Sequence, residues 1–92
     1  MIQIENKHLA IIKNILSKYP YQFYAYGSRV KGTARRYSDL DLCYYDNIKC
    51  QIISNIKEKL EDSDLPFIVE LVNWKNMRPA FQENISKDLV EI

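Results

Sequence analysis

The stretch YGSRVKGTARRYSDLDL, from Tyr26 to Leu42, contains both glycines of the 92-residue chain, Gly27 and Gly32. Glycine is favoured where the backbone turns sharply or must approach another group closely. An aromatic run that ends at Tyr26 predicts a strand, and a short helix is expected to follow the turn. Backbone N–H groups and the positive end of the helix dipole would then meet at Gly27 and Ser28. This arrangement suits a phosphate group.

Basic side chains accompany this turn: Arg29, Lys31, Arg35 and Arg36. The glycine spacing matches that of a Walker A loop. However, Thr33 and Ala34 stand where that loop requires lysine followed by serine or threonine. The turn alone therefore leaves two interpretations open, a phosphate-binding loop and a tight turn with solvated charges.

Two aspartates favour the interpretation as a phosphate-binding loop. Asp39 and Asp41 alternate with Leu40 and Leu42 at the start of a second predicted strand, which runs to Tyr45. Successive side chains of a strand point to opposite faces, so the two carboxylates are expected on the same side. They repel each other unless a cation lies between them, and magnesium binds to a few carboxylates together with substrate phosphates. The alternative is an ordinary solvent-facing strand edge.

A third acid, Glu70, lies in the apolar segment Ile68-Val-Glu-Leu-Val72, the third predicted strand. A carboxylate in a core strand is costly unless it is paired or ligated. If this strand neighbours the second one, Glu70 can join Asp39 and Asp41 on one face. Three carboxylates beside a phosphate-binding turn would suit two-metal phosphoryl or nucleotidyl transfer. An edge-strand glutamate paired with lysine is the alternative.

The rest of the chain predicts helices before the first strand, between the second and third strands, and after Pro79. We therefore expect one compact α/β domain over residues 1–92, with a three-stranded core sheet. The net charge of +1 gives no reason to expect nucleic acid as a partner. No apolar run would span a bilayer, and the first residues lack the basic start of a signal peptide. We expect a cytoplasmic protein without membrane contact.

The segment from Gly27 to Leu42 resembles the G-S-x-x-x-G-x-A…S-D-x-D-L signature of polymerase-beta-like nucleotidyltransferases. The short length and the segment Leu65–Trp74 make the chain most similar to MNT (minimal nucleotidyltransferase) proteins. These are antitoxins encoded beside HEPN-domain RNase toxins. The resemblance implies an α+β fold, a minimal core in which helices flank a three-stranded mixed sheet.

The resemblance also implies a reaction, the transfer of AMP from ATP to a tyrosine of the HEPN toxin, with two magnesium ions. It assigns nucleotide binding to four residues, and both catalysis and metal binding to three acids. The nucleotide-binding residues are Gly27, Ser28, Arg29 and Ser38, and the acids are Asp39, Asp41 and Glu70. The family usually has aspartate at the position of Glu70 and often another acid at Asn73. The glutamate at position 70 favours an alternative, an antitoxin that masks its toxin without catalysis.

Overall fold

A computed structural model describes residues 2–92 of the chain. Helices and strands alternate along it, and a 3₁₀ turn at Trp74–Asn76 precedes the last helix. The bounds are α1 Asn6–Leu16, β1 Tyr24–Tyr26, α2 Ser28–Lys31, β2 Leu40–Tyr44, α3 Cys50–Glu61, β3 Val69–Asn73, α4 Pro79–Ser86 and β4 Val90–Glu91. Within this part of the chain, no helix is both long and apolar enough to cross a membrane.

The strands form one mixed sheet in the order β3-β2-β1-β4. β2 and β3 are parallel, while β1 is antiparallel to both β2 and β4. The predicted α+β core is therefore confirmed, with one strand more than expected. The additional strand β4 pairs Val90 with Ala25 at the edge of β1. A two-residue strand is too short to produce an alternating pattern that sequence analysis could detect.

One face of the sheet carries the main core. α1 and α3 each present an apolar stripe at helical spacing to this face, as amphipathic helices do. Ala25, Leu40 and Leu42 of the sheet and Ile12 and Ile56 of the helices have no exposed surface. These residues belong to one continuous apolar cluster, which holds β1 and β2 in place.

The opposite face is covered less completely. Met77 and Ile85, from the segment around α4, pack on Tyr26 and Cys43 in a second, smaller cluster. The ring of Phe81 meets that of Tyr26 edge to face, with the centroids 5.9 Å apart. Pro79 occupies the first turn of α4, as predicted. This arrangement leaves part of the second face open at the start of β2.

Candidate active site

A row of polar side chains crosses three strands at the open part of the second face. Asp41 of β2 pairs with Tyr26 of β1 on one side and with Glu70 of β3 on the other. Paired residues on neighbouring strands point to the same face of a sheet. Asp39 precedes Asp41 by two residues and shares this side by alternation. The structure thus puts the three acids that the sequence singled out on one face, with Asp39 and Glu70 near enough to Asp41 for their charges to affect it.

The turn at Gly27 lies directly against Asp41. A Cβ atom at Gly27 would stand 2.6 Å from Asp41 Oδ2, and the backbone there has φ = +85°. Both the close approach and the positive φ require glycine. The Gly27 carbonyl accepts hydrogen bonds from the N–H groups of Val30 and Lys31, which opens the single turn of α2 at Ser28. The N–H groups of Ser28 and Arg29 precede these bonds and have no acceptor carbonyl within the turn, so they are the backbone donors that remain for a ligand.

The acids of this row repel one another. Burial, followed by the charges of Glu70 and Asp39, raises the pKa of Asp41 above its usual value. Burial, followed by the charge of Asp41, raises the pKa of Tyr26 to about 12, so its hydroxyl stays protonated at neutral pH. The salt bridges that form within residues 2–92 are those of Glu5 with Lys7 and His8. Glu70 is exposed on the edge strand β3, but no lysine pairs with it there.

Comparison with known proteins agrees with this arrangement. The polymerase beta nucleotidyltransferase family matches residues 10–92. The chain belongs to this family. It is 39% identical over 95 residues to the probable protein adenylyltransferase MntA of Haemophilus influenzae, covering 99% of this chain and 83% of that protein. A crystal structure of a toxin–antitoxin with AMP-PNP superposes with a TM-score of 0.62, over 89% of this chain and 69% of that one. Its sequence identity is 23%, so this likeness concerns the fold alone.

Magnesium binding at this site would depend on the three acids. Among residues 2–92, no three histidine, cysteine, aspartate or glutamate side chains are already grouped to hold a metal ion. The donor chemistry nevertheless fits, because Asp39, Asp41 and Glu70 offer hard carboxylate oxygens. Burial and, after it, the charges of Glu70 and Asp39 raise the pKa of Asp41, and in the described part no lysine or arginine forms a salt bridge with these acids. Magnesium takes few protein ligands and completes its shell with water and substrate phosphate, so it does not need a prebuilt protein cage.

Of the remaining two predicted nucleotide-binding residues, Arg29 belongs to α2 and Ser38 to the loop between α2 and β2. Arg29 is 5% exposed, and its guanidinium donates to the carbonyl oxygens of Ser38, Gln3 and Arg36 at 2.9, 2.8 and 3.1 Å. Ser38 Oγ accepts a hydrogen bond from the Arg35 N–H at 2.8 Å. Both side chains therefore bind the chain itself, and their role toward a nucleotide stays a prediction.

Sequence reasoning missed Tyr26 as a member of the row. Its strand was predicted, but the register between β1 and β2 depends on the intervening helix and loop, whose geometry no pattern specifies. The nearest signal was the adjacent Gly27, which indicated that the end of this strand must lie close to another group. That group is the carboxylate of Asp41.

Proposed function

We propose that this protein is an antitoxin that transfers AMP from ATP to a tyrosine hydroxyl of a HEPN RNase toxin, in the cytoplasm. The observation that carries the proposal is the Asp41–Glu70 pair, adjacent in register, beside the Gly27–Ser28 turn. The 39% identity to a probable protein adenylyltransferase supports the choice of AMP as the group and of a protein as the acceptor.

In the proposed reaction, the tyrosine oxygen attacks the α-phosphorus of ATP. The bond to the β-phosphate oxygen breaks, and pyrophosphate leaves with the electron pair. Gly27 and Ser28 hold the phosphates through backbone N–H groups and a hydroxyl. Asp39, Asp41 and Glu70 would hold two magnesium ions, which when bound supply positive charge against the charge that develops on the transferred phosphate. Glu70, which is exposed on the edge strand β3, faces solvent where an acceptor can arrive, and it takes the hydroxyl proton.

The acceptor is expected to be a protein because exposed apolar side chains surround the carboxylates. Tyr37 and Ile68 each precede an acid of the site by two residues, and both are 63% exposed. Phe81 packs on Tyr26 and is 44% exposed. Exposed apolar residues grouped around a site are typical of a surface that a macromolecule covers. The same residues support a second candidate function, in which the protein masks the toxin without modifying it.

One experiment separates the two functions. The toxin is incubated with the protein and Mg-ATP, tyrosines are examined by mass spectrometry, and RNase activity is measured in parallel. We expect an AMP adduct and loss of RNase activity, both dependent on ATP and magnesium. Suppressed RNase activity without any adduct would favour masking.

Variants of Glu70 test its part in the transfer. Glutamate places its carboxylate about one ångström farther from the strand than aspartate does, and such a displacement costs up to roughly a hundredfold in rate. Glu70→Asp should therefore transfer faster than wild type, and Glu70→Gln should not transfer. Glu58→Gln, which alters an exposed glutamate of α3, serves as the matched control. Transfer by Glu70→Gln at the wild-type rate would exclude a catalytic role for this residue.

A further inference from the structure

Arg29 is the one charged residue among the buried residues of the described chain. Its guanidinium donates three hydrogen bonds to backbone carbonyls and none to a carboxylate. Burial lowers the pKa of Arg29, and the nearby charge of Asp39 acts in the opposite direction. A buried cation is costly, so an arginine in this place needs a structural or functional reason.

The bonds of Arg29 converge on the backbone that leads into Asp39. The Ser38 carbonyl, which belongs to the peptide unit just before Asp39, accepts from Arg29 Nε. The Leu40 N–H, in the peptide unit just after Asp39, donates to the Ile68 carbonyl of the neighbouring segment at 2.9 Å. Hydrogen bonds therefore hold the backbone on both sides of Asp39, from Arg29 before it and from the sheet after it. The side chain itself is exposed and has no salt bridge in residues 2–92.

Two neighbours hold the guanidinium in this position. It lies over the ring of Phe67, 4.2 Å from the centroid, just ahead of β3. The Gln3 carbonyl accepts a hydrogen bond from the guanidinium, and the Gln3 N–H donates to the Arg29 carbonyl. The side-chain amide of Gln3 donates to the Ala34 carbonyl and accepts from the Ala34 N–H. The N-terminal segment, the loop and the β3 side thus meet at one side chain.

We propose that Arg29 is a positioning residue for Asp39, holding the loop of residues 33–38 so that this carboxylate is presented beside Asp41. Its part in transfer rests on the proposed function, whereas its hold on the loop does not. Lysine cannot replace it, because an ammonium group lacks the planar fork that reaches several carbonyls at once. The charge at position 29 would be preserved in Arg29→Lys while the geometry would be lost.

Amide hydrogen exchange of the protein alone tests the hold on the loop. The N–H groups of Ala34, Arg35 and Ser38 all have acceptors that depend on the loop conformation. In Arg29→Lys we expect these amides to exchange about tenfold faster than in wild type, or more, because at least two of the hydrogen bonds from the guanidinium to backbone carbonyls are lost. Amides of α3 should keep their wild-type rates, as should all amides in the control Arg78→Lys, which alters an exposed arginine. Unchanged exchange in the loop would overturn the proposal.

Should Arg29→Lys also loosen α3, the milder Phe67→Leu takes its place. This variant removes the stacked ring but leaves the guanidinium. Relative to wild type, exchange of the loop amides should still be accelerated several-fold more than exchange of the α3 amides. Equal acceleration everywhere would show that Arg29 stabilises the whole fold and does not position Asp39.

A double-mutant cycle tests the action through Asp39. Transfer is measured for Arg29→Lys, for Asp39→Asn and for the two combined. A residue that acts by positioning Asp39 has nothing left to position once that carboxylate is gone, so the double variant should match Asp39→Asn. Additive losses would show that Arg29 acts independently, for example on the nucleotide. If the wild type transfers nothing, the proposed function fails, while the exchange measurement still decides whether Arg29 holds the loop.

Discussion

The two faces of the sheet use the same strands for opposite purposes. On the covered face, Leu40 and Leu42 are fully buried beneath α1 and α3. On the open face, the alternate residues Asp39 and Asp41 remain partly or largely accessible. Neighbouring residues of β2 therefore differ in task. The leucines stabilise the fold, whereas the aspartates belong to the candidate site and do not stabilise the fold by apolar burial.

The difference also appears in the energetics. Apolar burial on the covered face contributes favourably to folding, at roughly 25 cal/mol per Å² of apolar surface removed from water. The open face partly buries a carboxylate and brings like charges near it, and both effects, burial first, raise the pKa of Asp41. Removing a side chain should therefore have opposite effects on the two faces.

The largest effect is expected from Asp41→Asn. Transfer should fall by roughly a hundredfold to a thousandfold, the typical cost of removing one group that stabilises charge developing in the transition state. The free energy of unfolding of the nucleotide-free protein should stay level or rise, because one of the repelling carboxylates is removed. Transfer is followed by mass spectrometry and unfolding by urea titration. A strongly destabilised variant would instead indicate a structural partner for Asp41.

The pH dependence of the same variant provides a control. A carboxyl whose pKa is raised on folding lowers stability as pH rises from its ordinary value, 3.8, through the raised value. Below the ordinary value both folded and unfolded chains are protonated, so this cost is absent. The stability advantage of Asp41→Asn over wild type should be present at neutral pH and disappear in acid. An advantage independent of pH would contradict the assignment.

On the other face, Leu42→Ala should have the reverse profile. A fully buried leucine truncated to alanine typically costs about 2–5 kcal/mol of stability. Folded molecules should still transfer AMP within a few-fold of wild type when assayed well below the unfolding transition. Urea titration combined with the transfer assay measures both quantities. A large loss of transfer at full folding would show that the two faces are not separable.

The sequence predicted the larger helices, the three core strands and the common side of the two aspartates well, because all of these depend on local periodicity. Alternation alone puts Asp39 and Asp41 on one side, and an acid among apolar residues marked Glu70 as unusual. The resemblance, in turn, supplied the roles. What alternation left open was whether β3 lies beside β2, which is a matter of how distant segments pack.

The contacts of Arg29 could not be predicted from the sequence. A basic residue after a glycine turn suggested contact with phosphate, yet its side chain is buried against carbonyls contributed by Gln3, Arg36 and Ser38. Backbone acceptors exist at every residue, so no residue type in the sequence indicates which of them an arginine will find. Tyr26 is similar, because its position beside Asp41 follows from a strand register and not from a motif.

The most selective prediction, with the smallest expected loss of stability, compares the two glycines. Both have positive φ, +85° at Gly27 and +78° at Gly32, so alanine is strained at either position. Only at Gly27 would the added Cβ meet another group, Asp41 Oδ2 at 2.6 Å, whereas at Gly32 it would find open space within 4 Å. Gly32→Ala therefore isolates the cost of backbone strain, about 1–2 kcal/mol for a left-handed residue.

Gly27→Ala adds the displacement of Asp41 to a larger backbone strain, because ψ of −155° at Gly27 lies outside the left-handed region, in a conformation that essentially only glycine adopts. A shift of a reacting group by about one ångström can lower a rate up to roughly a hundredfold, so transfer should fall far more in Gly27→Ala than in Gly32→Ala. Asp41→Asn should then add little to Gly27→Ala, because the carboxylate is already misplaced. Stability and transfer are measured for both glycine variants side by side. Equal losses of transfer would mean that Gly27 is needed for the turn alone, and that its contact with Asp41 has no part in the reaction.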